Sequence, residues 1–208
     1  NISDTFGHGT HVAGIIGALR GNGLGIAGIA PDAKIMSLRT FNGSETTSGT
    51  TLAIDAIINS LRYAADRGAR VINMSLGLQP GWFTGTQLTR LQDAVTYAVG
   101  HGSIVVVAAG NNHSSVSDYP ALFSNVITVG ALYKDSLTGV VSRDYSYSNY
   151  GSSLDFMAPG TDILSLRMSG SDLTNYPPWR GDYNYTSISG TSMAAPMVSG
   201  LIALLLAQ

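Results

Sequence analysis

Four residues carry side chains able to move a proton, attack a carbonyl or steady a negative charge, and each sits among small neighbours. His8 and His11 fall in Gly7-His8-Gly9-Thr10-His11-Val12-Ala13-Gly14, Asn111 follows Ala109-Gly110, and Ser192 lies in Gly190-Thr191-Ser192-Met193-Ala194-Ala195-Pro196. A serine at a helix N-terminus meets backbone donors and the positive end of the helix dipole. An imidazole can take its proton and an amide N–H can donate to an oxyanion, so the three types are the parts of an acyl-transfer site. Each also has a plain structural reading. Thr191 or Ser192 can cap a buried helix, Asn111 can be a turn residue, and a buried histidine can be a hydrogen-bonded core residue. His8 and His11, three apart, could be metal ligands on one helix face, but no third histidine or nearby carboxylate pair completes such a site.

The elements that must position these residues alternate along the chain. Ile35–Leu38 reads as a short strand. The segment 51–67 then puts Leu52, Ile54, Ile57, Ile58 and Leu61 on one helical face, with Gly68 as a stop. Val71–Met74 is the next strand, and 86–99 is a second helix through Leu88, Leu91, Val95 and Val99. Ile104–Ala108 and Val126–Val129 follow as strands. Continuous apolar runs joined by helices predict an α/β fold, a doubly wound and mostly parallel sheet with helices on both faces. The regions 136–153 and 169–186, rich in Tyr, Ser, Asn and Gly, read as long loops or hairpins. The final segment, 193–207, is a helix so apolar at Leu201–Leu206 that it belongs in the core of a larger body. In open α/β sheets, sites gather beyond the carboxyl ends of the strands, here at Ser75-Leu76-Gly77 and Ala109-Gly110-Asn111.

Composition excludes several classes of function. With 208 residues, 44% hydrophobic and 12% charged, the chain fits one globular domain, residues 1–208. The net charge of −2 and the lack of any Lys/Arg cluster speak against a nucleic-acid partner. No apolar run approaches the roughly 18 residues of a membrane span. Zero cysteines exclude disulfides, thiolate metal sites and a cysteine nucleophile. Gly23-Leu24-Gly25-Ile26-Ala27-Gly28 satisfies the GxGxxG pattern but follows a helix and leads toward a strand, the reverse of a dinucleotide site.

The blocks GHGTHVAG (7–14), VINMSLG (71–77), VVAAGN (106–111), VITVGA (126–131), APG (158–160) and GTSMAAP (190–196), in this order, resemble the subtilisin-like serine proteases. The resemblance implies a serine endopeptidase that hydrolyses peptide bonds through an acyl-enzyme. His8 would be the general base, Ser192 the nucleophile and Asn111 the oxyanion donor, with His11 structural and no cofactor needed for catalysis. It further implies that Ser75, Leu76 and Gly77 pair with an extended peptide substrate, that Ala108, Ala109 and Gly110 form the opposite wall of the primary pocket, and that Asp118 lies at its base, where it would favour Lys or Arg. The loop 20–26 resembles the family's structural calcium loop, with the Asn22 side chain and the Arg20, Leu24 and Ile26 carbonyls as ligands; carboxylate ligands from earlier chain are absent. The GTSMA element differs from the GxSxG elbow of α/β-hydrolases, because Ala194 stands where a glycine is required. A monomer, an inhibitory propeptide and secretion are expected on the same ground, the last consistent with the Asn-x-Ser/Thr sites at Asn42 and Asn184.

The family's order is Asp, then His, then Ser, and only seven residues precede His8. Asp4 is the sole carboxylate among them and too close to His8 to occupy a separate core strand. The chain is therefore expected to be a partial domain, truncated at both ends, with the strand bearing the catalytic Asp upstream. The competing expectation is a pseudoprotease that binds extended peptides without cutting them.

Overall fold

The computed structural model describes residues 3–41, 50–79, 81–115, 117–168 and 178–208, with the backbone alone for 50–53. Asn42, residues 169–177 and the side chain of Leu52 lie outside the described residues. The elements run α1 (His8–Gly17), α2 (Thr50–Asp66), β1 (Val71–Met74), α3 (Gly85–Gly100), β2 (Ile104–Ala108), β3 (Ile127–Lys134), β4 (Val141–Arg143), β5 (Phe156–Pro159), β6 (Ile163–Leu166), β7 (Pro178–Trp179), β8 (Asp182–Ile188) and α4 (Thr191–Leu205). β1, β2, β3 and β5 are parallel neighbours, and β4 joins β3 antiparallel. A smaller antiparallel sheet has the order β6-β8-β7. The α/β architecture is the expected one, a mostly parallel sheet between helices.

Alternation along β2 shows why both faces are covered. Successive strand side chains point to opposite faces. Val105 and Val107 meet Ile54, Ile57 and Leu61 of α2 and Leu91 and Val95 of α3. Val106 and Ala108 meet Ala194, Ala195 and Val198 of α4, together with Val129 and Ala131 of β3. A slip of one residue would exchange the two sets, so register is strongly fixed. The small residues of α4 let its backbone approach the sheet, and Ala194 and Ala195 are fully buried. α1 packs in turn on α4, where Val12 and Ile15 meet Met193 and Met197. Gly14 has no room for a Cβ, which would strike Ser165 and Leu166 of β6, so α1 is held at backbone distance from the small sheet.

Several boundaries differ from expectation. The run Ile35–Leu38 forms no strand: Ile35 is 46% and Met36 42% exposed, and no partner strand among the described residues offers it a ladder. A strand needs a neighbour as well as an apolar sequence. β3 extends to Lys134 because Leu132, Tyr133 and Lys134 pair with Arg143, Ser142 and Val141, turning part of the expected loop region into a hairpin. α3 begins earlier than its apolar pattern, since Thr84 and Gln87 form a reciprocal capping box. α4 begins at Thr191, so Ser192 stands in its first turn. The Leu-rich end of α4 is exposed, with Leu201 at 52% and Leu205 at 58%.

Candidate active site

α4 starts without a local cap. Its N-cap is Gly190, and no side chain caps there, which overturns the reading of Thr191 or Ser192 as a simple helix cap. The first N–H groups of any helix lack intrahelical acceptors. Here that of Thr191 donates to Asn111 Oδ1 at 2.9 Å, and Thr191 Oγ1 donates to the same oxygen at 2.9 Å. Thr191 Oγ1 also accepts from Gly110 N at 3.2 Å. Two donors on its oxygen fix the Asn111 amide, so that Nδ2 is the group left to donate. A methyl group built on Gly190 would lie 3.6 Å from Asn111 Nδ2 and 3.7 Å from Ser192 N. Both N–H donors therefore border one small space beside the serine.

Ser192 is joined to the end of β1. Ser75 Oγ donates to Ser192 O at 2.7 Å, and Ser192 Oγ makes a long hydrogen bond of 3.4 Å to Ser75 O. Asn73 Nδ2 donates to Ser75 Oγ at 2.9 Å, and Asn73 Oδ1 accepts from Ser199 Oγ on α4 at 2.8 Å. His8 is the first residue of α1, half-buried, following Gly7 with its φ of 99°. The packing of α1 on α4 brings the two helices together. One turn on, His11 is fully buried and shares a hydrogen bond of 3.2 Å with Thr186 O. Burial pushes its pKa down to about 4 against the opposing pull of the Thr186 carbonyl, with the nearby His8 charge acting in the same sense as burial. His11 is thus a neutral core residue, and among the described residues no group of three His, Cys, Asp or Glu could hold a metal.

Asp4 is committed elsewhere. It accepts from Phe6 N at 3.1 Å, Gly7 N at 2.7 Å, Thr10 N at 2.8 Å and Thr10 Oγ1 at 2.7 Å, which makes it the cap of α1. Partial burial would raise its carboxyl, but these four donors outweigh that and hold it below the usual carboxylate range.

The chain beyond the ends of the first two parallel strands runs past Asp118 on both sides. Ser75, Leu76 and Gly77 continue β1 on one side, and Ala109 and Gly110 continue β2 after Ala108 on the other. Asp118 is held between them: its N–H donates to Ala109 O at 3.2 Å, and the next residue, Tyr119, exchanges hydrogen bonds with Leu78. A Cβ on Gly77 would lie 2.8 Å from Asp118 Oδ2, and one on Gly110 2.6 Å from it, so both walls are glycine where the carboxylate comes close. Asp118 is only 8% exposed, and the Asn112 amide at 3.4 Å is its one hydrogen-bonding side chain among the described residues. Burial pushes its carboxyl up, the amide opposing.

The subtilase family (Peptidase S8) model matches residues 1–208. This chain belongs to the subtilase family. It is 45% identical to the thermophilic serine proteinase of Bacillus sp. (strain AK1) over 99% of its length and 44% of that protein's. It is 42% identical to thermitase of Thermoactinomyces vulgaris, covering 97% of this chain and 62% of thermitase. Fervidolysin from Fervidobacterium pennivorans, a keratinolytic enzyme related to subtilisin, superposes with a TM-score of 0.79 at 32% identity, covering 98% of this chain and 30% of that one. The subtilase chain thus spans about half the length of the curated relatives it matches.

The loop of the subtilase chain at 20–26 is less equipped than its resemblance implies. Asn22 Oδ1 already accepts from Leu24 N at 3.0 Å, and Arg20 is paired with Asp32 at 2.7 Å. Gly25, at φ 43°, lies under the ring of Tyr185 on β8. Oxygen donors suit calcium, but the set offered by Asn22 and the Arg20, Leu24 and Ile26 carbonyls is neutral throughout. Two residues that hold Asn111 and its loop escape sequence reasoning in that role. Thr191 enters only as a possible helix cap, and Asn149, considered below, reads as a loop residue of Ser148-Asn149-Tyr150-Gly151.

Proposed function

We propose that this chain carries the nucleophile, base and oxyanion donor of a serine endopeptidase. The observation that supports it is the paired N–H donors of Asn111 and Ser192 beside the serine, with Asn111 fixed from behind by Thr191. In this reading Ser192 Oγ attacks the scissile carbonyl while His8 takes its proton; His8 then protonates the leaving amine, and water, activated by His8, cleaves the acyl-enzyme. The long Ser192 Oγ bond to Ser75 O is the resting arrangement, since catalytic hydrogen bonds tighten on substrate binding. Negative charge develops on the carbonyl oxygen only in the tetrahedral transition state, so the two donors lower the barrier rather than strengthening substrate binding.

The acid that orients His8 would come from outside residues 1–208, because Asp4 serves α1. Its loss alone lowers turnover about 3 × 10⁴-fold in subtilisin, so the isolated 208-residue chain should be nearly inactive. The substrate would be an extended polypeptide paired along Ser75–Gly77, with Ala108–Gly110 opposite and Asp118 below the first side chain. A buried carboxylate with one weak amide partner favours a cation there, so Lys and Arg should be preferred. No cofactor enters the reaction. The neutral oxygens of the 20–26 loop do not make a calcium site unaided, and no step depends on one. Secretion, a propeptide and a monomeric state are part of the same proposal, carried by family membership.

The test is a fluorophosphonate probe together with matched peptides ending in Lys or Phe, applied to the full polypeptide that contains these residues. Labelling confined to Ser192, and hydrolysis lost in Ser192→Ala, are expected. Peptide binding without labelling would instead establish the pseudoprotease. Asp118→Asn should lower cleavage after Lys at least tenfold while leaving cleavage after Phe unchanged. In the parent protein the Lys preference should fade as pH drops through the raised Asp118 pKa; equal cleavage of both peptides at neutral pH would refute the assignment.

A further inference from the structure

The loop carrying Asn111 cannot hold itself. Gly110 with φ 103° and His113 with φ 49° turn residues 109–114 out of line with β2, so their polar backbone groups need partners elsewhere. One fully buried side chain supplies three of them. Asn149 Nδ2 donates to Ala109 O at 3.0 Å, and its Oδ1 accepts from both Asn112 N and Ser114 N at 3.0 Å. Its own backbone N–H donates to Gly110 O at 3.0 Å. These four bonds bracket Asn111 on both sides. Gly110 is glycine partly for this reason, since a Cβ there would strike Asn149 Nδ2.

From this we propose that Asn149 is a positioning residue for the oxyanion donor. Thr191 fixes the Asn111 side chain, and Asn149 fixes the backbone from which that side chain springs. An oxyanion donor acts only if it is preorganised at about 2.7–3.1 Å from the developing charge, so small shifts of its loop are felt in turnover. The buried amide suits the task because it offers an acceptor with two lone pairs and a donor from one rigid plane. The inference rests on the peptidase reading above, but the hold on the loop is measurable without it.

Two measurements separate the two claims. In the full polypeptide, Asn149→Ala should lower kcat about tenfold with KM unchanged. In an Asn111→Ala background the same change should lower kcat less than twofold, since a residue acting through Asn111 has nothing left to position. Equal losses in both backgrounds, or a loss confined to KM, would overturn the proposal. Hydrogen exchange read by mass spectrometry should show faster exchange across 109–114 in Asn149→Ala, with the rest of the chain unchanged; no change there also overturns it. Faster exchange in a parent protein that cleaves no peptide would refute the peptidase reading while upholding the hold on the loop. If Asn149→Ala does not fold, Asn149→Asp preserves the shape and one acceptor but loses the donor to Ala109, and the same two-background comparison applies.

Discussion

The helices that begin at His8 and at Thr191 face the same problem and solve it differently. Both cap positions are glycines with no side-chain cap, Gly7 and Gly190. At α1 the nearby Asp4 accepts from the N–H and hydroxyl of Thr10 in the first turn and from the N–H groups of Phe6 and Gly7 before it. At α4 the first N–H is met by Asn111, 80 residues away. A distant partner leaves the next N–H, that of Ser192, facing an open space that it shares with a second donor. In the proposed peptidase both ends matter, since His8 opens α1 and Ser192 stands in the first turn of α4.

That contrast can be broken at either end. The largest effect should come from Asn111→Ala, because removing a comparable donor in subtilisin costs about 10²–10³ in turnover. KM should be unchanged, and a defect confined to KM would remove Asn111 from the transition state. Gly190→Ala comes next. The glycine has extended backbone, with φ 161°, and its added methyl would meet neighbours only at ordinary contact distances of 3.6 Å or more. The variant should therefore melt like the parent yet lose at least tenfold in kcat, since the methyl intrudes on the space between the two donors. Normal turnover would mean that the oxyanion binds elsewhere.

At the other end the expected losses are in stability. Asp4→Ala should lower unfolding free energy by about 1–2 kcal/mol, the usual cost of a lost helix cap. The folded Asp4 pKa is lowered, so its stabilisation is present above the ordinary carboxylate pKa and disappears as pH falls through the lowered value. His11 acts in a higher window. Folding holds it neutral down to about pH 4, whereas in the unfolded chain it takes up a proton near the ordinary histidine value of 6.5, so stability should decline as pH falls between those values. Melting curves from pH 8 to pH 3 should show both declines, and Asp4→Ala should flatten only the more acidic one. An Asp4→Ala protein as stable as its parent would mean that α1 needs no cap.

Legibility followed the range of the interactions. The strands Val71–Met74 and Ile104–Ala108 and their flanking helices could be read because apolar period and helix stops are local signals. Ile35–Leu38 shares the apolar signal but finds no neighbour, and nothing in those four residues records that. His8, Asn111 and Ser192 stood out because their neighbours are small and their types are reactive. Thr191 and Asn149 did not, because a hydroxyl in a motif and an amide in a loop have many ordinary uses. Only their partners, 80 and up to 40 positions away, single them out.

The sequence by itself determined the family, the α/β class, the types of the reacting groups and the absence of any thiol chemistry. These depend on residue identity and short-range order. The tertiary structure decided that Asp4 is a cap, that Asp118 lies between Gly77 and Gly110, and that Thr191 and Asn149 hold Asn111 and its loop from two sides. Those assignments are set by which distant backbone groups lack partners once the chain has folded, and hydrogen-bond satisfaction of that kind is a property of the packed molecule.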